Sequence, residues 1–98
     1  MGFARNVQFN VKAGQVDEFS RLMKTEILPL MKTQKGFRED VTLLKKDAGM
    51  SLSLWDDRMC AETYHTTTFP TVLKKLGPVI EGNPRVDTYD SVVAELRV

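Results

Sequence analysis

From Phe3 to Val11 the chain alternates, with Phe3, Arg5, Val7, Phe9 and Val11 on one side and Ala4, Asn6, Gln8 and Asn10 on the other. A period of two is the signature of a strand with one buried face. After Ala13-Gly14 the spacing lengthens: Val16, Phe19, Leu22, Met23, Ile27, Leu30 and Met31 recur three and four residues apart. That spacing predicts an amphipathic helix of about five turns. Pro29 lies inside it and has no amide to offer the Thr25 carbonyl, so a kink is expected there, because the stripe resumes at Leu30. Lys35-Gly36 then ends the helix.

A second strand is predicted from Phe37 to about Leu44 and a third from Met50 to Trp55, joined into a hairpin by a turn containing Asp47-Ala48-Gly49. Asp56 or Asp57 can cap a second helix starting near Arg58. Thr68-Phe69-Pro70 breaks that helix and restarts it, since proline suits a first helical turn, and Val72, Leu73 and Leu76 carry its stripe to Gly77-Pro78. A last strand is expected from about Arg85 to Val93. The order βαββαβ defines an α+β chain: a ferredoxin-like four-stranded antiparallel sheet with both helices on one face, in a single domain over residues 1–98. On this reading Met50, Leu52 and Leu54 face the helices. The open face carries Ala4, Asn6, Gln8, Asn10, Ser51, Ser53 and Trp55. A sheet bare on one side invites a second copy of itself, so a homodimer through that face is expected.

Composition narrows the function. A chain of 98 residues buries only about 60 to 65 per cent of its unfolded surface, so a partner surface would help it. Fourteen Lys and Arg against 13 Asp and Glu leave a net charge of +1, which offers no electrostatic match to nucleic acid or acidic lipid. The single cysteine, Cys60, rules out an intramolecular disulfide framework and fits a reducing compartment or a fold that needs no staple; the cytoplasm is expected. The first residues lack the basic start and apolar core of a signal peptide, and no apolar run approaches the ~20 residues that span a bilayer.

Metal chemistry finds no ligand set, because the only histidine, His65, and Cys60 stand five apart on a predicted helix and point to different faces. Cys60 has no base at a facing spacing, and glycine-rich phosphate loops are absent. Trp55, Tyr64 and His65 remain. Ala61, His65, Thr68, Val72, Leu73 and Leu76 fall on one helical stripe with Tyr64 at its margin, so His65 is expected to face inward. It then either packs as a satisfied core histidine or takes a proton in a cavity. Trp55 is either an anchor at the rim or the apolar wall over a flat aromatic ligand. Because a helix that restarts cannot lie flat on the sheet, a pocket is expected beneath it, lined by Phe9, Leu22, Leu54, Tyr64, His65, Phe69, Val72 and Leu73, with Trp55 at its mouth.

The strand running into Val11-Lys12-Ala13-Gly14, Glu18-Phe19 on the first helix, Gly36-Phe37 opening the second strand and Leu54-Trp55-Asp56 ending the third together resemble the antibiotic biosynthesis monooxygenase family of dimeric α+β barrels. The resemblance covers nearly the whole chain. It implies two sheets packed face to face in a homodimer, and oxidation of anthrones, quinols or similar activated phenols by dioxygen without metal, flavin or other cofactor. It further implies ring contact by Trp55, deprotonation by His65 and a hydrogen bond from Tyr64 to the substrate oxygen. A heme-cleaving branch of the same fold uses Asn, Trp and His where this chain has Val7, Tyr64 and Lys74, which disfavours that reaction. A non-catalytic dimeric module that binds a small apolar ligand, or only assembles, is the alternative.

Overall fold

The computed structural model describes residues 2–95. Its elements are β1 (Phe3–Val11), α1 (Val16–Leu22), a π-helical segment (Met23–Ile27), α2 (Leu28–Lys32), β2 (Phe37–Lys45), β3 (Ala48–Trp55), α3 (Arg58–Thr67), α4 (Phe69–Leu76) and β4 (Ile80–Tyr89). The strands form one antiparallel sheet in the order β2-β3-β1-β4, which is the ferredoxin-like arrangement the pattern predicts. The helices cover one face. Phe19, Ile27, Trp55 and Val79 are the most deeply buried large side chains between the layers.

Within the first helical run, Phe19, Met23, Ile27 and Met31 are all buried, one every four residues. In a regular α-helix such a row drifts by about 40° per step, because four residues exceed one 3.6-residue turn. The wider π-helical turns absorb that drift, and the amide of Leu28 reaches back five residues to the Met23 carbonyl. The expected kink at Pro29 is therefore replaced by re-paired turns just before it, and Pro29 sits at the start of α2.

The register of β3 overturns the predicted assignment of faces. Phe3 pairs with Trp55, Arg5 with Ser53, Val7 with Ser51 and Phe9 with Gly49. Residues directly opposite share a face, so Ser51, Ser53 and Trp55 point toward the helices. Met50, Leu52 and Leu54 instead lie beside Gln8, Asn6 and Ala4 on the open side. The reason is volume: helix side chains already fill much of the inner layer, and β3 meets them with glycine and serine. At Gly49 a Cβ would come within 2.8 Å of the Phe9 ring and 2.7 Å of the Leu43 carbonyl oxygen, so glycine is what lets the ring approach the strand this closely.

The hairpin turn is also tighter than expected, with Lys45 pairing directly with Ala48 across Lys46-Asp47. The last strand starts five residues before Arg85 and stops at Tyr89; Val93 is fully exposed. Its register against β1 slips between Gln8 and Asn10, opposite Gly82-Asn83-Pro84. This bulge on an edge strand tolerates both the positive φ of Gly82 and the missing amide of Pro84, so the turn residues interrupt the strand without ending it. The second helix breaks where predicted. Asp57 caps α3 by accepting from the Cys60 amide at 2.9 Å, and Thr68, between α3 and α4, donates from its hydroxyl to Gln34 Oε1 at 2.9 Å.

Candidate functional site

Two spaces flank one side chain of β1. Beneath α4 lies an apolar cavity of about 40 Å³ whose lining includes Phe9, Phe19, Ile27, Phe69, Val72 and Leu73. Beside α3, toward β4, runs an open groove of about 250 Å³ formed by Phe3, Arg5, Ala61, Glu62, His65, Val86 and Thr88. Arg5 lines both.

Arg5 is only 2% exposed. Among the described residues no carboxylate forms an ion pair with it. Burying an uncompensated charge costs several kcal/mol, so an arginine in this position calls for a reason. Its guanidinium carbon stands 4.5 Å from the centre of the Phe69 ring and 5.1 Å from that of Tyr64, contacts that recover part of the cost. Burial pushes the guanidinium down from its ordinary range, and the neighbouring Tyr64 opposes that shift. Its Nη2 lies 2.9 Å from His65 Nδ1. Since a guanidinium only donates, Nδ1 accepts with its lone pair and the imidazole proton resides on Nε2. The His65 ring is itself exposed and stacks on Phe69 with centroids 5.6 Å apart.

Tyr64 is buried, 4.9 Å from the Trp55 ring. Burial pushes its phenol up to about 12, with the Arg5 charge opposing and Asp40 adding to the shift, so it stays a hydrogen-bond donor at neutral pH. Asp40 faces this layer from β2 and accepts at 2.6 Å from both Thr42 and Ser51.

The structure brings together five of the residues expected to line one pocket: Phe9, Tyr64, Phe69, Val72 and Leu73 border the cavity. Leu54 lies on the opposite face of the sheet, and Leu22 is half-buried outside the cavity lining. His65 does not face inward; it forms part of the groove wall, and Tyr64 takes the inward position. The stripe drawn through both helices assumed one continuous phase, and the break at Thr68 resets it. Trp55 is not at a mouth: it is fully buried, its Nε1 donating to Ser53 Oγ at 2.9 Å and its ring edge-on to Phe37 at 5.5 Å. Arg5 was missed, although the alternation exposed it as the one charged residue on the strand's apolar side. Among the described residues no cluster of three His, Cys, Asp or Glu side chains could hold a metal ion, and no helix is long and apolar enough to cross a membrane.

No family model and no curated protein matches this chain. Solved structures do. A protein of unknown function from Nitrosomonas europaea, NE2512, superposes with a TM-score of 0.81 at 15% identity, covering 99% of this chain and 95% of that one. The ActVA-Orf6 monooxygenase of Streptomyces coelicolor, crystallised with nanaomycin D, gives 0.78 at 15% identity over 99% and 93%. SnoaB, a cofactor-independent oxygenase from Streptomyces nogalater, gives 0.74 at 13% identity over 95% of each chain. The chain thus has the fold of the antibiotic biosynthesis monooxygenases, as its strand and turn residues implied. Likeness at this identity fixes the fold and leaves the reaction to be argued from the site.

Proposed function

We propose that the protein is a cofactor-independent monooxygenase that oxidises a small activated phenol, anthrone or quinol with dioxygen. The observation that carries this reading is the 2.9 Å contact between Arg5 Nη2 and His65 Nδ1 at the junction of groove and cavity. A substrate hydroxyl entering from the groove would part that contact: the lone pair of Nδ1 becomes free to accept the hydroxyl proton while Arg5 faces the oxygen left behind. Tyr64, protonated at neutral pH, supplies the donor to oxygen, and Trp55 acts by holding Tyr64 in place. A cavity of about 40 Å³ suits dioxygen or one or two waters, and the groove of about 250 Å³ suits the ring.

The electrons balance without a cofactor. The ionised substrate gives one electron to dioxygen, the resulting radical pair joins at carbon as a peroxide, and loss of water leaves a carbonyl. For an anthrone the conversion of CH₂ to C=O supplies all four electrons that dioxygen takes up, one oxygen atom entering the product and the other leaving as water.

Aerobic incubation with a panel of anthrones and hydroquinones, followed by oxygen uptake against heat-inactivated protein, tests this directly. His65→Ala should slow turnover at neutral pH by roughly 10² to 10⁴, and higher pH should restore it as the substrate ionises unaided. An unchanged rate in that variant removes His65 as the base, and no uptake across the panel sinks the reading.

The second reading is an assembly or ligand-binding module, and the open face of the sheet favours it. Val41 is 50% exposed and Leu43 58% there. Between Leu52 and Asp87 on that face, the buried Oδ1 of Asn6 has no hydrogen-bond partner among the described residues. Under either reading we place a second copy of the chain against this face, with Met50, Leu52 and Leu54 at the contact in place of Ser51 and Ser53. A dimer that never consumes oxygen would select the module.

A further inference from the structure

We propose that the cavity beneath α4 has its own inlet for a small apolar molecule of dioxygen's size, opening between the first helical run and β2 and gated by Met23. This deepens the oxygenase reading by giving the gas an entrance separate from the ring's, and rests on that reading only in naming dioxygen as the occupant. Among the described residues, four surface hollows each share one lining residue with the cavity, so each shared side chain plugs one way in. Arg5 plugs the groove beside α3, Phe9 the hairpin end of the sheet, and Tyr64 the side of Gln34 and Cys60. Met23 plugs a hollow of about 190 Å³ between the first helical run and β2.

How firmly each plug is held decides which one moves. Phe9 is stacked on Phe19 at 4.7 Å and lies close against Gly49. Tyr64 packs against Trp55 at 4.9 Å and Phe69 at 6.0 Å. Arg5 lies over the Tyr64 and Phe69 rings and is bonded to His65 Nδ1. Moving any of the three breaks an aromatic contact or strips a cation of its partners. Met23 is held by neither. A thioether is at most a weak acceptor, and an unbranched chain with three rotatable bonds swings aside without dragging its neighbours. Met23 is also the first residue of the π-helical segment, and such turns inside helices are rare and recur at functional sites. The facing wall is fixed. Asp40 accepts from Thr42 and from Ser51, both at 2.6 Å, and this bracket runs from the hollow, lined by Asp40 and Thr42, to the cavity, lined by Ser51. On the inner side Phe19 and Ile27, about one turn either way from Met23, keep the passage apolar. Apolar cavities take small apolar guests such as xenon, and the space behind Met23 measures about 40 Å³.

The probes are xenon and dissolved dioxygen, each applied under pressure to the full-length protein while its methyl groups are followed by NMR. Xenon should shift the Ile27 and Val72 signals saturably, as a cavity guest does. Dioxygen is paramagnetic and should broaden Met23, Leu28 and Leu44 at the inlet more than Val86, which is half-buried in the groove beside α3. Met23→Leu keeps the volume but brings a stiffer, branched chain. It should slow xenon exchange roughly 10-fold at equal occupancy, the effect of one off-rotamer torsion on a barrier. Met23→Ala should speed exchange instead. Should neither variant fold, the broadening pattern of the wild type decides. The inference is overturned if xenon leaves Ile27 and Val72 unmoved, if Val86 broadens more than Leu28 and Leu44, or if folded Met23 variants exchange xenon at the wild-type rate. Met23-dependent exchange with no oxygen uptake from any phenol sinks the oxygenase reading and leaves the inlet standing. Oxygen uptake with exchange indifferent to Met23 removes the inlet and leaves the oxygenase.

Discussion

The two faces of one sheet are built on opposite rules. On the helix side β3 presents Gly49, Ser51, Ser53 and Trp55 against Phe9, Val7, Arg5 and Phe3 of β1, while on the open side it presents Met50, Leu52 and Leu54 against Gln8, Asn6 and Ala4. Ordinary expectation puts the larger apolar set inside. Here the inner layer already receives Phe19, Met23, Ile27, Met31, Tyr64 and Phe69 from the helices, so small strand residues are what fit, and the space they leave becomes the cavity and the seat of Arg5. On the open side Val41 is 50% and Leu43 58% exposed, and there β3 carries its own bulk. Small polar residues in a strand can therefore mark its crowded side.

The strongest test of that contrast is on the inner side. Trp55 is fully buried between Phe37 and Tyr64, and Trp55→Ala should cost about 3–5 kcal/mol of stability in denaturant unfolding, the usual loss for a large aromatic in a close-packed core. A loss under about 1 kcal/mol would mean that the inner layer is not packed as described.

On the outer side, Leu52→Asp should leave the unfolding midpoint of the monomer nearly unchanged and weaken the proposed dimer by at least about 100-fold, because a carboxylate would be buried unpaired in the contact. Sedimentation at micromolar concentration reads this. Equal dimerisation in wild type and variant would move the interface to another surface, and a variant that unfolds would mean that the outer face already belongs to the chain's own core.

The smallest effect lies at the join between β3 and α3. The Asp57 carboxyl is held below its ordinary range by hydrogen bonds from Cys60. With a folded pKa below the unfolded one, the stabilisation is complete above the ordinary carboxylate range and is lost as pH falls through the depressed value. Asp57→Ala should lower the melting temperature at neutral pH and remove that acid-side dependence, whereas Asp57→Asn should keep most of the cap. Identical melting of wild type and Asp57→Ala at neutral pH would show that the cap adds nothing.

Local chemistry was enough to determine the succession of elements. Periods of two and of three to four, the glycine at position 36, the Asp57 cap and the break before Pro70 each act through the backbone of a few neighbouring residues, and the ferredoxin-like order follows from their sequence. Three matters were decided only in three dimensions. Whether Ser53 or Leu52 faces the helices depends on a register against β1 that no residue of β3 encodes alone. Whether His65 or Tyr64 turns inward depends on how far the break at Thr68 resets the helical phase, which is settled when α3 and α4 dock separately. And the meaning of Arg5 lay in its surroundings: as a letter it is one charge in an apolar alternation, and only the packing of Tyr64, Phe69 and His65 around it makes it a buried cation facing a groove. Each is a long-range outcome, fixed by which volumes remain when distant segments meet.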